Sequence, residues 1–496
     1  MEFLAKHKTE TIIFFALVLG YFLLRLPNLT LQPIFADEAI YIRWAQVMKS
    51  EPTLRFLPLS DGKTPLFMWL MIPLFKIFKD PLFAGRFLSV ISGFFTLLGV
   101  FFLTKKVFRS KVALWATLFY VVTPYTVFFD RMALVDTMLS AFTIWVVYFA
   151  VWLAETKRLD IAMILGYLMG GAILTKTPGL INLLILPVSI LVFKRSGKNS
   201  LVKLISLWLV TIGIALVMYN LLRLGPEFQK LTQRNTDYVF SPLELVGRPL
   251  DPFIPHFHDI SDWFPKLFTV PTLLLIAVGV FYSLRKINKQ ALIILVWLLI
   301  PMHVSMAFLK TFTARYLLTS IAPMLIFAGL GLTKTLEKFK ISNVYKILIC
   351  LIIVLPLPLF FDYQLLVSPP PDSLPKEERI GYFEDWTAGY GLKQISGFLI
   401  NQSRTNEVVV GTDGFFGTLP DGLYIYLDKS NISVVGSSAT ISAKIREAAK
   451  DHLTYFVGNK QSLENSIKNV RLIMEFHKAK SFSGQADSTV LYQVLP

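Results

Sequence analysis

Two adjacent carboxylates, Asp37 and Glu38, stand in LQPIFADEAIYIRWAQVM (31–48), just after the first apolar run of a chain that is 54% hydrophobic. An ionised carboxylate in a partly dry site can take a proton from an attacking hydroxyl, which is general-base chemistry. A short acid at a helix start also caps orphan N–H groups and meets the positive end of the dipole, so a structural role for Asp37 stands beside the chemical one. Lys63 precedes a helix expected to begin at Pro65, in KTPLFMWLMIPLFKIF, with proline at a first-turn position. An ammonium and free backbone N–H groups aimed at one point make an anion site, although a lysine there also snorkels to lipid headgroups. Lys176 in LTKTPGL and Arg315 in FTARYLLTSIAP sit at other outer helix ends with the same two readings. Asp136, in FFDRMALVDTML, lies a turn inside an apolar run, where a charge is tolerated mainly if paired or facing a cavity; Arg131 or Lys176 is the expected partner. HFHDISDW (256–263) gathers two His and two Asp, but the spacing matches no specific metal site.

The elements that position these residues are membrane spans. With 496 residues and 42 Phe, the chain carries more apolar surface than a soluble core of this length hides. A span takes roughly 20 helical residues. About eleven runs qualify: 10–26, 82–104, 112–129, 134–154, 160–175, 178–193, 204–223, 268–284, 290–309, 314–333 and 344–363. The formal net charge of +16 invites a nucleic-acid partner, but the positive residues mark topology instead. Lys105, Lys106, Arg109 and Lys111; Lys194, Arg195 and Lys198; Arg285, Lys286 and Lys289; and Lys334, Lys338 and Lys340 fall in loops on one side, with Lys6 and Lys8. That side is expected to be the cytoplasm. The opposite loops, and everything after residue 363, then face outward.

The basic N-terminus and first run read as a retained signal anchor, since RLPNLT offers no small-residue cleavage site. The single cysteine, Cys350, precludes an intramolecular disulfide. Residues 1–366 are expected to form the membrane domain, with an outward loop at 27–81 and another at 224–267. In the first of these, Ile40, Trp44, Val47 and Met48 share one helical face, which predicts an amphipathic helix over 38–49 lying against the membrane surface. Repeated proline in VSPPPDSLPKEER makes 367–379 a linker. Beyond it, EVVVGT (407–412), ISVVG (432–436), LTYFVG (453–458) and TVLYQVL (489–495) alternate with helical patterns such as SAKIREAAK (442–450). Residues 380–496 are therefore expected to be a small extracytoplasmic α/β domain.

An Asp-Glu pair after the first span, GKTPLFMW before the second, RMALVDTML between the third and fourth, LTKTPG after the fifth and ARYLLTSIAP opening a late span occur in an order that carries a resemblance. Over residues 10–335 the chain resembles membrane glycosyltransferases of the GT-C fold, in particular bacterial relatives of the protein O-mannosyltransferases and of the lipid A aminoarabinose transferase. EDWTAGYGLKQISGFL (384–399) also resembles the segment after the last span in some of these relatives. The resemblance implies an inverting transferase in the cell membrane. It would take a sugar from a polyprenyl phosphate and pass it to a glycan, lipid or protein hydroxyl on the outer face. It implies Asp37 as catalytic base with Glu38 beside it, and Lys63, Lys176 and Arg315 around the donor phosphate. Arg131, Asp136 and Tyr316 would support the site. Where the aminoarabinose branch has an acid just before the motif lysine, this chain has Gly62, which counts against that branch's substrate and against a metal tied to that acid; a divalent cation elsewhere stays open, and no other cofactor is expected. The rival expectation is a transporter or flippase of a lipid-linked or anionic substrate, but its usual pair of similar halves is not evident.

Overall fold

A backbone in lipid must satisfy its own N–H and C=O groups, so the apolar runs wind into helices. The computed structural model describes residues 8–195, 197–248, 250–285, 287–340, 342–428, 430–463, 468–481, 484 and 486–496. Lys6 and Lys286, two of the charges expected to mark the cytoplasmic side, lie outside them. Helix α1 (Lys8–Arg25) leads to a two-residue strand β1 (Ile34–Phe35) and to α2 (Ala36–Ser50). The six-residue α3 (Leu66–Met71) follows, then α4 (Pro81–Val107), α5 (Ser110–Val122), α6 (Pro124–Asp130), α7 (Val135–Thr156) and α8 (Leu159–Thr175). Next come α9 (Ser200–Asn220), α10 (Lys230–Tyr238), α11 (Phe253–Phe268), α12 (Val270–Arg285) and α13 (Lys289–Phe308). A 3₁₀ turn (Ala314–Leu317) opens α14 (Leu318–Lys338), and α15 (Asn343–Val354) and α16 (Pro356–Val367) end the helical part.

Among the described residues five helices are long and apolar enough to cross a membrane, and three bent pairs raise the number to eight. The runs expected at 160–175 and 178–193 are shorter apolar helices, Leu159–Thr175 and Thr177–Val192. The chain is a multi-pass helical membrane protein. Its bends have local causes. Helices α5 and α6 meet at 59° where Pro124 cannot donate to the preceding turn. Helices α11 and α12 meet at 107° across Thr269, whose φ is +70°. Helices α12 and α14 touch backbone to backbone at Gly279 and Gly331, where a Cβ on either would fall on a carbonyl of the other helix.

The proline stretch does not hang free as a linker: Leu374 and Glu378 are buried against the helices. Strand β2 (Ala388–Gly389) pairs antiparallel with β1. Helix α17 (Leu392–Gln402), β3 (Val408–Asp413), α18 (Thr418–Leu427), β4 (Ser433–Ser437), α19 (Ala443–Asp451), β5 (Leu453–Asn459), β6 (Val470–His477) and β7 (Ser488–Val494) follow. The strand order is β4-β3-β5-β7-β6, parallel across β4-β3-β5 and antiparallel beyond.

Helix α2 is not a surface helix. Ile40, Trp44 and Met48 are buried, but so are Ala39, Tyr41, Ile42, Ala45 and Gln46 on its other faces. Gln46 donates to the Ile425 carbonyl at 2.8 Å and Arg43 pairs with Asp428 at 2.7 Å, so α18 of the C-terminal part of the chain covers the side that a membrane surface was expected to leave wet.

Candidate active site

The start of α2 is pinned by backbone and by acid. Ala36 N–H donates to the Thr387 carbonyl at 3.0 Å, and Phe35 N–H donates to Glu38 Oε2 at 3.0 Å. Glu38, three residues on, therefore does the capping that the sequence allowed for Asp37. The Asp37 carboxylate is left for the site: Lys63 Nζ lies 3.2 Å from Oδ1 and Arg315 Nη2 lies 2.7 Å from Oδ2. Burial opposes its charge, but Lys63 and Arg315 outweigh burial and hold the carboxyl well below the usual carboxylate range. Burial likewise opposes the Lys63 ammonium, and Tyr41, Asp37 and Asp61 outweigh it and raise its pKa.

Three expectations need correction. Glu38 does not reach the cavity. Its Oε1 accepts from Arg86 Nε at 2.8 Å and Ala133 N–H at 2.7 Å, and its Oε2 accepts from Arg86 Nη2 at 2.7 Å. A fully buried carboxylate with every lone-pair direction used is a support for Asp37, not a reactive group. Arg131 is not a partner of Asp136: its guanidinium donates to the carbonyls of Arg25, Pro27 and Asn28 at 2.7 to 2.9 Å, where it ties the end of α1. Helix α3 does not supply an anion-binding start either, because Pro65 stands outside it as the N-cap and the helix has six residues. What remains of that expectation is Lys63 itself.

The other expected residues do converge. Lys176 Nζ is 2.6 Å from Asp136 Oδ1 and 4.0 Å from the centroid of the Tyr316 ring. Asp37, Lys63, Asp136, Lys176, Arg315 and Tyr316 all line one cavity of about 770 Å³. Leu139, Ile181, Pro301, Val304 and Phe308 line its apolar part, and Trp386 and Thr387 of the EDWTAGYG segment also border it. Arg234 of α10 escaped sequence reading. It pairs with Asp61 at 2.7 Å, and Asp61 in turn lies 3.3 Å from Lys63 Nζ. Gly62 has φ +60°, and a Cβ there would meet Arg234 and the Lys230 carbonyl, so glycine is required where the aminoarabinose branch has its acid. The only legible trace of this contact was the Asp-Gly pair before the lysine.

The donor set does not suit a divalent cation. Lys63 is within 3.3 Å of both Asp37 and Asp61, so an ammonium sits between the two carboxylates nearest the centre. His256 of HFHDISDW is buried in α11, where Nδ1 bonds the Met306 carbonyl at 2.8 Å and the ring stacks on Phe312. No group of three or more His, Cys, Asp or Glu that could hold a metal occurs among the described residues.

A family model described as dolichyl-phosphate-mannose-protein mannosyltransferase matches residues 62–222, which include Lys63, Asp136 and Lys176. No curated protein matches the chain significantly. Among solved structures, apo ArnT from Cupriavidus metallidurans is 14% identical with a TM-score of 0.61, over 98% of each chain. ArnT bound to undecaprenyl phosphate gives a TM-score of 0.58 at 14% identity, again over 98% of each chain. Archaeal oligosaccharyltransferase AglB from Archaeoglobus fulgidus, in complex with an inhibitory peptide and a dolichol-phosphate, is 12% identical with a TM-score of 0.56, over 97% of this chain and 74% of AglB. The chain therefore has the GT-C fold of membrane glycosyltransferases.

Proposed function

We propose that this protein transfers a sugar from a polyprenyl phosphate to an acceptor hydroxyl on the outer face of the membrane, with Asp37 as base. The observation that carries the reading is one carboxylate held by two cations, Lys63 and Arg315, in a cavity that also has an apolar wall. Such a cavity suits a ligand with an anionic head and a hydrocarbon tail. The related folds of ArnT with undecaprenyl phosphate and AglB with dolichol-phosphate support the same ligand class. Arg315 Nε and the Thr313 hydroxyl are buried without a hydrogen-bond partner among the described residues, so the protein leaves donors here for something else to use.

The chemistry follows from charge competition. In the arrangement described, Asp37 is too well stabilised as a carboxylate to be a good base. A donor phosphate drawn to Lys63 and Arg315 takes part of their charge from Asp37 and raises its basicity. The acceptor oxygen then attacks the anomeric carbon from the face opposite the phosphate, and the C–O bond to phosphate breaks with its electron pair staying on the phosphate oxygen. Asp37 takes the acceptor proton, and the anomeric configuration inverts. Lys63 and Arg315 stabilise the charge that develops on the departing phosphate. Lys176 and Asp136 hold the adjoining wall.

Binding tests the reading first. Purified protein in nanodiscs should bind undecaprenyl phosphate, and Lys63→Ala and Arg315→Ala should each weaken binding by roughly 10- to 100-fold, since a charge-assisted contact contributes about 1.5 to 3 kcal/mol. Unchanged affinity in both variants would remove the phosphate site. Mass spectrometry of outer-surface glycans, lipids and proteins from cells with and without the gene then identifies the sugar and acceptor by the residue that goes missing.

A further inference from the structure

The segment that leads from the last helix into the outer unit reaches back into the site through Glu378, a residue that nothing in the sequence motifs marks. Its Oε1 accepts the Ala314 N–H at 2.8 Å, and the side chain is almost wholly buried. The carbonyl of the same residue, Ala314, accepts from the Tyr125 hydroxyl at 2.5 Å. Ala314 is thus held at both its N–H and its C=O, from two different parts of the chain. The next residue is Arg315, whose Nη2 reaches Asp37. A 3₁₀ turn of four residues, Ala314–Leu317, has little intrinsic rigidity, so these two clamps decide where the guanidinium starts from.

We propose that Glu378 is a positioning residue for the donor phosphate: by fixing Ala314 it holds the Arg315 guanidinium on the cavity wall, and its own charge moderates the positive field that the phosphate meets. This rests on the reading of the cavity as a polyprenyl-phosphate site. The groups facing Glu378 can be named. Arg315 comes from the 3₁₀ turn, Tyr125 from α6, and Glu377 and Tyr382 from its own segment, while Asp259 on α11 faces Glu377. Burial pushes the Glu378 carboxyl up to about 7, against the opposing pull of the Ala314 N–H and of Arg315. Near neutral pH the carboxyl is therefore divided between two charge states. Above this range it is ionised and subtracts from the charge of Arg315. Below it, it is neutral and still accepts from Ala314 through its carbonyl oxygen.

Two substitutions separate position from charge. Glu378→Gln keeps an oxygen for the Ala314 N–H and removes the charge; Glu378→Ala removes both. The measurement is the Kd for undecaprenyl phosphate, with full-length protein in nanodiscs, at pH 5.5 and 8.5. Loss of the clamp should make Glu378→Ala bind about tenfold more weakly than wild type at pH 5.5, where wild type is itself neutral, and by less at pH 8.5, where the lost negative charge offsets part of the loss. Glu378→Gln should bind about 3- to 10-fold more tightly than wild type at pH 8.5 and equally at pH 5.5. The ratio of the two proteins cancels the titration of the phosphate itself, and a merely structural role would not move it with pH. Alanine binding as tightly as wild type at pH 5.5, or a Gln-to-wild-type ratio that does not change with pH, overturns the proposal. If the alanine variant does not fold, the Gln ratio decides alone. Binding that needs Arg315 but is indifferent to Glu378 overturns this inference only. No undecaprenyl phosphate binding by wild type overturns both it and the functional reading.

Discussion

At Asp37 the two oxygens are divided between two cations, and that division allows its roles to be separated by experiment. Asp37→Asn keeps the size and a hydrogen-bonding oxygen but cannot take a proton, so sugar transfer should fall by about 10² to 10⁴. Undecaprenyl phosphate should bind the variant as well as wild type or better, because Lys63 and Arg315 lose a competing anion. Wild-type turnover in Asp37→Asn would return the residue to a structural role. The pH dependence has a definite sign. A carboxyl whose folded pKa is depressed stabilises the fold above its unfolded value, about 3.9, and that stabilisation is lost as pH falls below it. Thermal unfolding followed from pH 6 down to pH 3 should show less acid sensitivity in Asp37→Asn than in wild type. At Arg315, lysine supplies charge without the planar fork, so Arg315→Lys should recover only part of the affinity lost in Arg315→Ala.

Helices carry the site by close approach. The crossing of α12 and α14 depends on Gly279 and Gly331, and α14 continues from the turn that bears Arg315. A leucine at either glycine has carbonyl backbone of the other helix in its way, so the helices must separate. Overpacking of this kind costs about 1 to 3 kcal/mol. Gly279→Leu and Gly331→Leu should therefore lower the unfolding temperature in nanodiscs and weaken undecaprenyl phosphate binding together. An unchanged unfolding temperature would mean that the two helices are not in backbone contact. Helix α2 is held by burial: most of its residues are shielded from water, in part by α18. Its central amides should exchange with deuterium as slowly as those of α7, whereas a helix lying on the membrane surface would exchange much faster.

For the whole molecule, the outward side is a prediction about charge. The loops rich in Lys and Arg lie together only if the chain alternates as proposed, which puts the cavity, the EDWTAGYG segment and the sheet of the outer unit across the membrane from those loops. A reporter active only outside the cytoplasm should work when fused after Pro496, and one active only inside should work when fused after Lys198. Outside activity at both positions would overturn the span order. The C-terminal part of the chain and the helices share one core. Strands β1 and β2 pair across them, Gln46 bonds Ile425, and Glu378 bonds Ala314. A lipid-linked donor is available to an outward cavity, and a covering of this kind keeps water from competing with the acceptor.

Sequence alone determined the features that follow from local chemistry. Long apolar runs must be helical in lipid, β-branched runs between turn residues became β3, β4, β5 and β7, and charges at the ends of apolar runs were legible as costly unless paired. Asp37, Lys63, Asp136, Lys176 and Arg315 could be singled out for that reason, and they line one cavity. Tertiary structure alone decided which acid of the Asp-Glu pair is exposed to the cavity, because that depends on Arg86 and Ala133, far along the chain, consuming Glu38. It also decided that Arg131 ties α1 while Lys176 meets Asp136, that Arg234 and Glu378 belong beside the site, and that α18 covers α2 at Gln46. These are contacts between residues tens to hundreds of positions apart. Hydrophobic periodicity reports only whether a face is buried, and what buries it depends on how distant parts of the chain pack together.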